Sequence, residues 1–319
     1  MSREILAVVG LTCTGKTTLA LALADALGGP DAVSIIECDS TKIYRGADIG
    51  TAKPVGESRR GYEFLMVDIV EPGVRYSAGR YMTEGRTVCE EVWRRDKLPL
   101  VVGGSGLYFR ALVDGICEAP PADAEVRALL LTRRAAGENL HEYLADVDKD
   151  AAARISPTDE KRIIRALEVF EVTGMPLSEI QSKGGRRLEA DRITAVFLDA
   201  PRRWLAGRVE SRARRMFAQG LVDETRELRA EVEKETDPPL NAIGYRQAVQ
   251  LLKGELEAGE ALEAVVRETL RLAKKQRTWF KREEKAARLD ATVGVESLKE
   301  HVLALRQERL KNNPFYDRI

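Results

Sequence analysis

The apolar run Ile5 to Val9 leads straight into Gly10-Leu11-Thr12-Cys13-Thr14-Gly15-Lys16-Thr17, and an alternating Leu/Ala stretch, Leu19 to Leu27, follows. That order reads as strand, glycine-rich loop, helix. Two glycines and a Lys-Thr at these offsets form a phosphate cradle (a P-loop). Backbone N–H groups and the helix N-terminus wrap a polyphosphate, Lys16 reaches its charge and the Thr17 hydroxyl holds Mg²⁺. The motif does not say which molecule carries the phosphate.

Further short apolar runs at Ser34 to Cys38, Phe64 to Asp68, Leu98 to Val102 and Thr194 to Leu198 predict buried strands, with helical stretches between most of them. The expected fold is therefore α/β, with a P-loop NTPase-like parallel sheet. Between Ile116 and Asp191 the pattern turns helical, with Pro120-Pro121 at the entrance and Gly184-Gly185 near the exit. A helical insertion domain over 116–191 is expected, leaving 1–115 and 192–319 as the catalytic core. From Pro201 to about Leu310 the chain reads as mainly helical, and Lys311 to Ile319 as a frayed end.

With 319 residues and 51 basic against 51 acidic side chains, the chain has no global field to attract nucleic acid, so such a partner needs a local patch. Cys13, Cys38, Cys89 and Cys117 form no C-x-x-C pair, and only His141 and His301 accompany them, so buried reduced thiols are expected rather than zinc. No apolar run approaches membrane-helix length, and Arg3 and Glu4 precede the first strand without a signal-peptide pattern. The expectation is a cytoplasmic monomer that does not engage membranes.

In an open parallel sheet the carboxyl ends of strands line the ligand crevice, which aims Asp39 of Glu37-Cys38-Asp39-Ser40 at the P-loop. The residue reads equally as a general base, a Mg²⁺ ligand or a helix N-cap. The loop Thr41 to Pro54 carries Lys42, Arg45 and Lys53, and reads as an anion-binding loop or as a solvated connector. Gly103-Gly104-Ser105-Gly106-Leu107-Tyr108 is a second strand-to-helix turn, where backbone and Ser105 can meet a ligand. Arg208, Arg212 and Arg215 share one helical face, placed to clamp phosphate or to face solvent beside Glu210 and Glu224. Arg267, Arg271, Lys274, Thr278, Lys281 or Arg282, and Lys285 share another, whose length suits a nucleic-acid backbone.

Taken in order, the motifs resemble the tRNA dimethylallyltransferase (IPP transferase) family. The resemblance rests on Gly10 to Thr17, Asp39-Ser40 with Tyr44-Arg45-Gly46, Asp48 to Pro54, Val102 to Tyr108, Ala242-Ile243-Gly244-Tyr245-Arg246 and Ala273 to Lys281. Glu118 to Asp123 is similar, more weakly, to the family's entrance to its insertion. The resemblance implies transfer of a dimethylallyl group from dimethylallyl diphosphate to N6 of adenosine 37 in the tRNA anticodon loop, with Mg²⁺ and release of pyrophosphate.

It further implies that Asp39 is the general base, acting with Lys16 and Thr17, and that Gly10, Leu11, Thr12, Cys13, Thr14, Gly15, Lys16, Thr17 and Arg212 bind the diphosphate. Asp39, Ser40, Thr41, Lys42, Ser105, Lys161, Arg162, Ile163, Ile164, Arg165, Arg271 and Lys274 would contact tRNA. Leu11, Cys13-Thr14, Thr41-Lys42 and Ser105 depart from the family's commoner residues. Cys13 to Thr17 is also similar to the adenylate isopentenyltransferases, which use a free nucleotide acceptor. A small-molecule P-loop kinase is the alternative from another reaction class.

Overall fold

The computed structural model describes residues 3–117, 119–283 and 286–311. Glu118 at the insertion's entrance, Lys285 of the basic stripe and residues 312–319 of the tail lie outside the described residues. The chain divides into two compact units, one of Met1–Phe109 with Glu189–Ile319 and one of Arg110–Leu188.

The first unit is built on six parallel strands, β1 (Glu4–Gly10), β2 (Val33–Cys38), β3 (Phe64–Leu65), β4 (Leu98–Gly103), β5 (Arg192–Asp199) and β6 (Ala286–Asp290), in the order β3-β2-β4-β1-β5-β6. Every residue of β1 and β2 is buried, as a parallel strand covered on both faces requires. On one face, Leu6, Val8, Leu100, Val102, Val196 and Leu198 pack against Leu19 and Leu23 of α1 (Lys16–Ala26) and Leu298 and Val302 of α13 (Val295–Lys311). Each such side chain contributes about 1.5–3 kcal/mol by leaving water. Arg306 of α13 grips the buried Glu4 of β1 with two 2.8 Å bonds.

The remaining elements of this unit are α2 (Ala78–Arg94), α3 (Gly106–Val113), which runs on into the second unit, α9 (Arg202–Ala218), α10 (Leu221–Glu231), α11 (Tyr245–Leu252) and α12 (Ala258–Phe280). On the second face Phe280 of α12 meets Phe109 and Phe197, with ring centroids 6.2 and 4.9 Å away.

Two strand expectations need correction. The run Phe64 to Asp68 pairs only through Phe64 and Leu65, because Met66 and Asp68 adopt left-handed φ values of 60° and 55° that break the ladder. Ala286–Asp290, read as helical, forms the edge strand β6 beside β5.

The second unit consists of α4 (Ala124–Ala135), α5 (Leu140–Val147), α6 (Lys149–Arg154), α7 (Glu160–Thr173) and α8 (Leu177–Ser182) around a core of Leu130, Leu140, Leu144, Ile163, Ile164, Leu167 and Ile180. Asp123, Asn139, Asp148 and Asp159 cap four of these helices by accepting backbone N–H bonds. The unit begins six residues before Ile116 and ends at Leu188 because its entry and exit are tied together. Val113 O accepts the Leu188 N–H, and a Cβ on Gly115 would lie 2.4 Å from Arg186 O. All four cysteines are free thiols. Cys38 and Cys89 are buried as expected, whereas Cys13 and Cys117 are half-buried.

Candidate active site

The cradle turns at the carboxyl end of β1. Gly10 must be glycine, since a Cβ there would lie 2.5 Å from Leu198 O. Gly15 sits at φ 86°, directly before the first helical residue, Lys16. Thr14 Oγ1 and Lys16 Nζ each donate a 2.7 Å bond to Leu11 O, which holds the loop closed around the N-terminus of α1. The first N–H groups of such a helix have no intrahelical partner and point at whatever fills the cradle.

Not every loop residue assigned to the diphosphate offers a contact. Leu11 is fully buried and its N–H is bonded to Leu198 O. The Thr12 N–H is bonded to Gln276 Oε1 at 2.9 Å. Leu11 shapes the cradle from behind, while Thr12, Cys13, Gly15, Lys16 and Thr17 line its open side. Burial, reinforced by the nearby Lys42 and Arg212 and opposed by Asp39, pushes the Lys16 ammonium down to about 8.

β2 delivers Glu37 and Asp39 to the same crevice. The Asp39 carboxylate accepts the Thr41 N–H at 2.9 Å and the Thr41 hydroxyl at 2.7 Å. Burial works to raise its pKa, but Lys42, the two Thr41 bonds and Lys16 outweigh it and hold Asp39 below the ordinary carboxylate range. Glu37 is fully buried, which pushes its pKa upward against the pull of Lys42. Ser105, at the end of β4, accepts the Ser40 N–H at 3.0 Å and gives its own N–H to Cys38 O, locking the two strand ends together. A Cβ on Gly103 would lie 1.9 Å from Cys38 O, and one on Gly106 would lie 2.1 Å from the Trp279 ring. Those glycines are demanded by close packing.

The loop after Asp39 is largely buried and its three cations are paired. Lys42 pairs with Glu37 at 2.6 Å, Lys53 with Asp48 and Asp68 at 2.6 and 2.5 Å, and Arg45 with Glu71 at 2.8 Å. Glu224 of α10, considered above as a partner for arginines, instead accepts the N–H groups of Asp48, Ile49 and Gly50 and the Tyr245 hydroxyl. Gly50 lies flat on the Tyr245 ring, where a Cβ would come within 2.4 Å. Ile43, Tyr44 and Ala47 pack with Met216, Leu221, Leu228, Tyr245 and Val249 in one cluster. The loop is thus a rigid wall.

The arginines of α9 divide their work. Arg212 reaches Thr12 Oγ1 at 3.1 Å and Thr51 O at 3.2 Å, at the mouth of the cradle. Arg208 holds Cys13 O at 2.8 Å, and Arg215 turns to Ser211. Gln276 of α12 bridges the two glycine turns, accepting from Thr12 N–H and donating to Gly104 O at 3.1 Å. Two cavities meet here. One, of about 1010 Å³, holds the cradle, Glu37, Lys42 and the α9 arginines. The other, of about 540 Å³, holds Ser40, Thr41, Ser105, Tyr108, Ile243, Val265 and Trp279. Thr12, Asp39, Thr51, Gly104, Arg212, Met216, Leu272 and Gln276 line both. A chamber of mixed lining that carries the cradle's cations and a largely apolar one are joined with Asp39 at the junction.

Other assigned residues lie elsewhere. Arg267, Arg271, Lys274, Thr278, Lys281 and Arg282 are all exposed along α12 or just beyond its end. On α7, Lys161 and Arg162 are exposed, but Ile163 and Ile164 are buried in that unit's own core, so their side chains present nothing to RNA. Arg165 is engaged internally, with Glu168 at 3.1 Å and Pro120 O at 2.6 Å. Lys42, only 8 % exposed, is likewise no surface contact. Sequence reasoning did not single out Gln276 as a bridge, Glu224 as an anchor or Glu37 as a crevice residue. Their partners lie across the fold or five residues along, and only the strand-end position of Glu37 hinted at its place.

The IPP transferase family profile matches residues 42–283. The chain is 41% identical over 288 residues to the tRNA dimethylallyltransferase of Koribacter versatilis, covering 89% of this chain and 92% of that one. It is 40% identical over 296 residues to that of Halorhodospira halophila, covering 91% and 94%. Among solved structures, the full-length tRNA isopentenylpyrophosphate transferase of Bacillus halodurans superposes with a TM-score of 0.69 at 28% identity, over 97% of this chain and 99% of that one. A eukaryotic dimethylallyltransferase acting on tRNA shares the fold with a TM-score of 0.76 at 24% identity, over 91% and 74%.

Proposed function

The chain belongs to the IPP transferase family and is a prenyl-transferring enzyme of tRNA, and on that premise we propose how the two chambers divide the reaction. The larger takes the diphosphate of dimethylallyl diphosphate. The smaller takes adenine 37 of the anticodon loop. The observation that carries this reading is the position of Asp39, which lines both chambers between a cationic cradle and an apolar pocket.

The exocyclic amine of adenine shares its lone pair with the ring and is a poor nucleophile until a base begins to take its proton. Asp39, ionised and oriented by Thr41, is that base. As N6 bonds to C1 of the dimethylallyl group, the C1–O bond breaks and its electron pair passes to the diphosphate. The charge that grows there meets the N–H groups at the start of α1, Lys16 and Arg212, all fixed before the substrate arrives. Met216 and Leu272 at the junction keep an apolar wall beside the allylic carbon.

Mg²⁺ fits the cradle, since the Thr17 hydroxyl is a hard oxygen donor on its open side and a bound diphosphate would supply more. Thr17 would hold it, and its charge would help neutralise the leaving diphosphate. The adenine must leave its stack to reach the smaller chamber, which a single-stranded loop permits for a few kcal/mol. The exposed cations Arg271 and Lys274, and Lys161 and Arg162 on the insertion, hold the RNA backbone. The reading takes the enzyme as a monomer acting in the cytoplasm.

The test is incubation with Mg²⁺, labelled dimethylallyl diphosphate and either unmodified tRNA or AMP. Label on N6 of adenosine 37 is expected. Label on AMP alone would make a free nucleotide the acceptor, and ATP consumption without prenyl transfer would favour a kinase.

A further inference from the structure

A buried ion pair usually costs more in desolvation than it returns in attraction, so one that lines a binding crevice invites a reason beyond stability. Glu37 Oε1 accepts from Lys42 Nζ at 2.6 Å, with both side chains almost wholly buried. The pair is incomplete, because Glu37 Oε2 is buried and has no hydrogen-bond partner among the described residues. An ammonium carries three donors, and the bond to Glu37 uses one. Both residues line the larger chamber with Lys16, Thr17 and Arg212, and neither lines the smaller, although their neighbour Thr41 does.

Resting on the diphosphate reading of that chamber, we propose that Lys42 is a second lysine of the cradle, donating to the bound diphosphate, and that Glu37 is the positioning residue that holds its ammonium there. Lys42 is close enough to Lys16 to be the chief charged contributor to its lowered pKa. Two lysines lining one recess repel each other. A diphosphate bound between them relieves that repulsion. Thr41-Lys42 is also where the sequence departs from the family's commoner residues, so this cation adds to the shared machinery.

The experiment is titration of Mg²⁺ with inorganic pyrophosphate into the full chain and its variants, with melting temperature and tRNA affinity measured alongside. The double variant E37Q/K42Q replaces the ion pair by two amides that can bond to each other, leaves net charge unchanged and leaves no buried charge unpaired. Its melting temperature is expected near that of the parent, its tRNA affinity unchanged and its pyrophosphate affinity at least about tenfold weaker. K42R, which keeps the cation, is expected to retain most of the affinity. Parent-like pyrophosphate affinity in E37Q/K42Q would overturn the inference while leaving the cradle reading intact. Loss of tRNA affinity with pyrophosphate affinity kept would overturn it too, and return Lys42 to the RNA. If the parent chain itself failed to bind pyrophosphate, both readings would fall together.

Discussion

Two fully buried glutamates, one in each unit, have opposite surroundings. In the insertion, Glu168 accepts the Asp123 N–H at 2.6 Å on one oxygen, and Arg127 at 2.8 Å and Arg165 at 3.1 Å on the other. In the crevice, Glu37 has Lys42 on one oxygen and, among the described residues, no partner on the other. Both oxygens of Glu168 are satisfied and the network gives that unit a polar pin through its core, although Arg127 Nε within it has no partner among the described residues. The second is open on the side where a charged substrate is to enter. A saturated carboxylate rigidifies a fold, while an unsaturated one that lines a crevice leaves an interaction for a ligand to complete.

The contrast can be broken most severely at Glu168. Glu168→Ala leaves Arg127 and Arg165 without their carboxylate and is expected to destabilise the protein by about 3–5 kcal/mol in denaturant unfolding. Pyrophosphate affinity of the folded fraction should not change. A variant of undiminished stability would show that the insertion's network is not a pin.

Lys16→Met removes a crevice cation instead, and should weaken pyrophosphate binding by about 10²-fold in calorimetry while leaving the unfolding midpoint near that of the parent. Equal loss of stability and binding would erase the distinction between the two kinds of network.

Thr41→Val sharpens the comparison within the crevice. The hydroxyl is one of the groups holding Asp39 below the ordinary carboxylate range, so its loss raises that pKa. A depressed carboxylate is ionised above its folded pKa and is lost as pH falls through it. The acidic limb of kcat/KM should therefore move to higher pH in the variant, and an unmoved limb would mean that Asp39 does not set it.

The smallest effect is expected at the exposed cations. Arg271→Glu with Lys274→Glu should raise KM for tRNA and flatten its dependence on salt, with KM for dimethylallyl diphosphate unchanged. An unaltered tRNA KM would remove α12 from the RNA surface.

What the sequence made legible was local. The cradle, Asp39 at the end of β2 and Ser105 at the end of β4 follow from strand, glycine and polar residue in direct succession. Arg212 was legible as one of a stripe, though not as the member that reaches Thr12. The Gln276 bridge joins residues 264 apart and Glu224 anchors a loop about 175 positions away, distances over which no pattern carries register. Ile163 and Ile164 were assigned through their neighbours' likeness to an RNA-touching segment, whereas their spacing with Leu167 marks the apolar face of α7. β6 escaped notice because only Ala286 among its five residues is buried, so no apolar run announced it.

Asp39→Asn tests most directly the division of one reaction between two chambers. Pyrophosphate affinity, measured by calorimetry, and single-turnover transfer to tRNA, measured with labelled dimethylallyl diphosphate, should separate. Binding is expected to stay within about twofold of the parent, while transfer falls by about 10²–10⁴-fold. If binding and transfer fell together, or if transfer survived, Asp39 would not be the base that links the chambers.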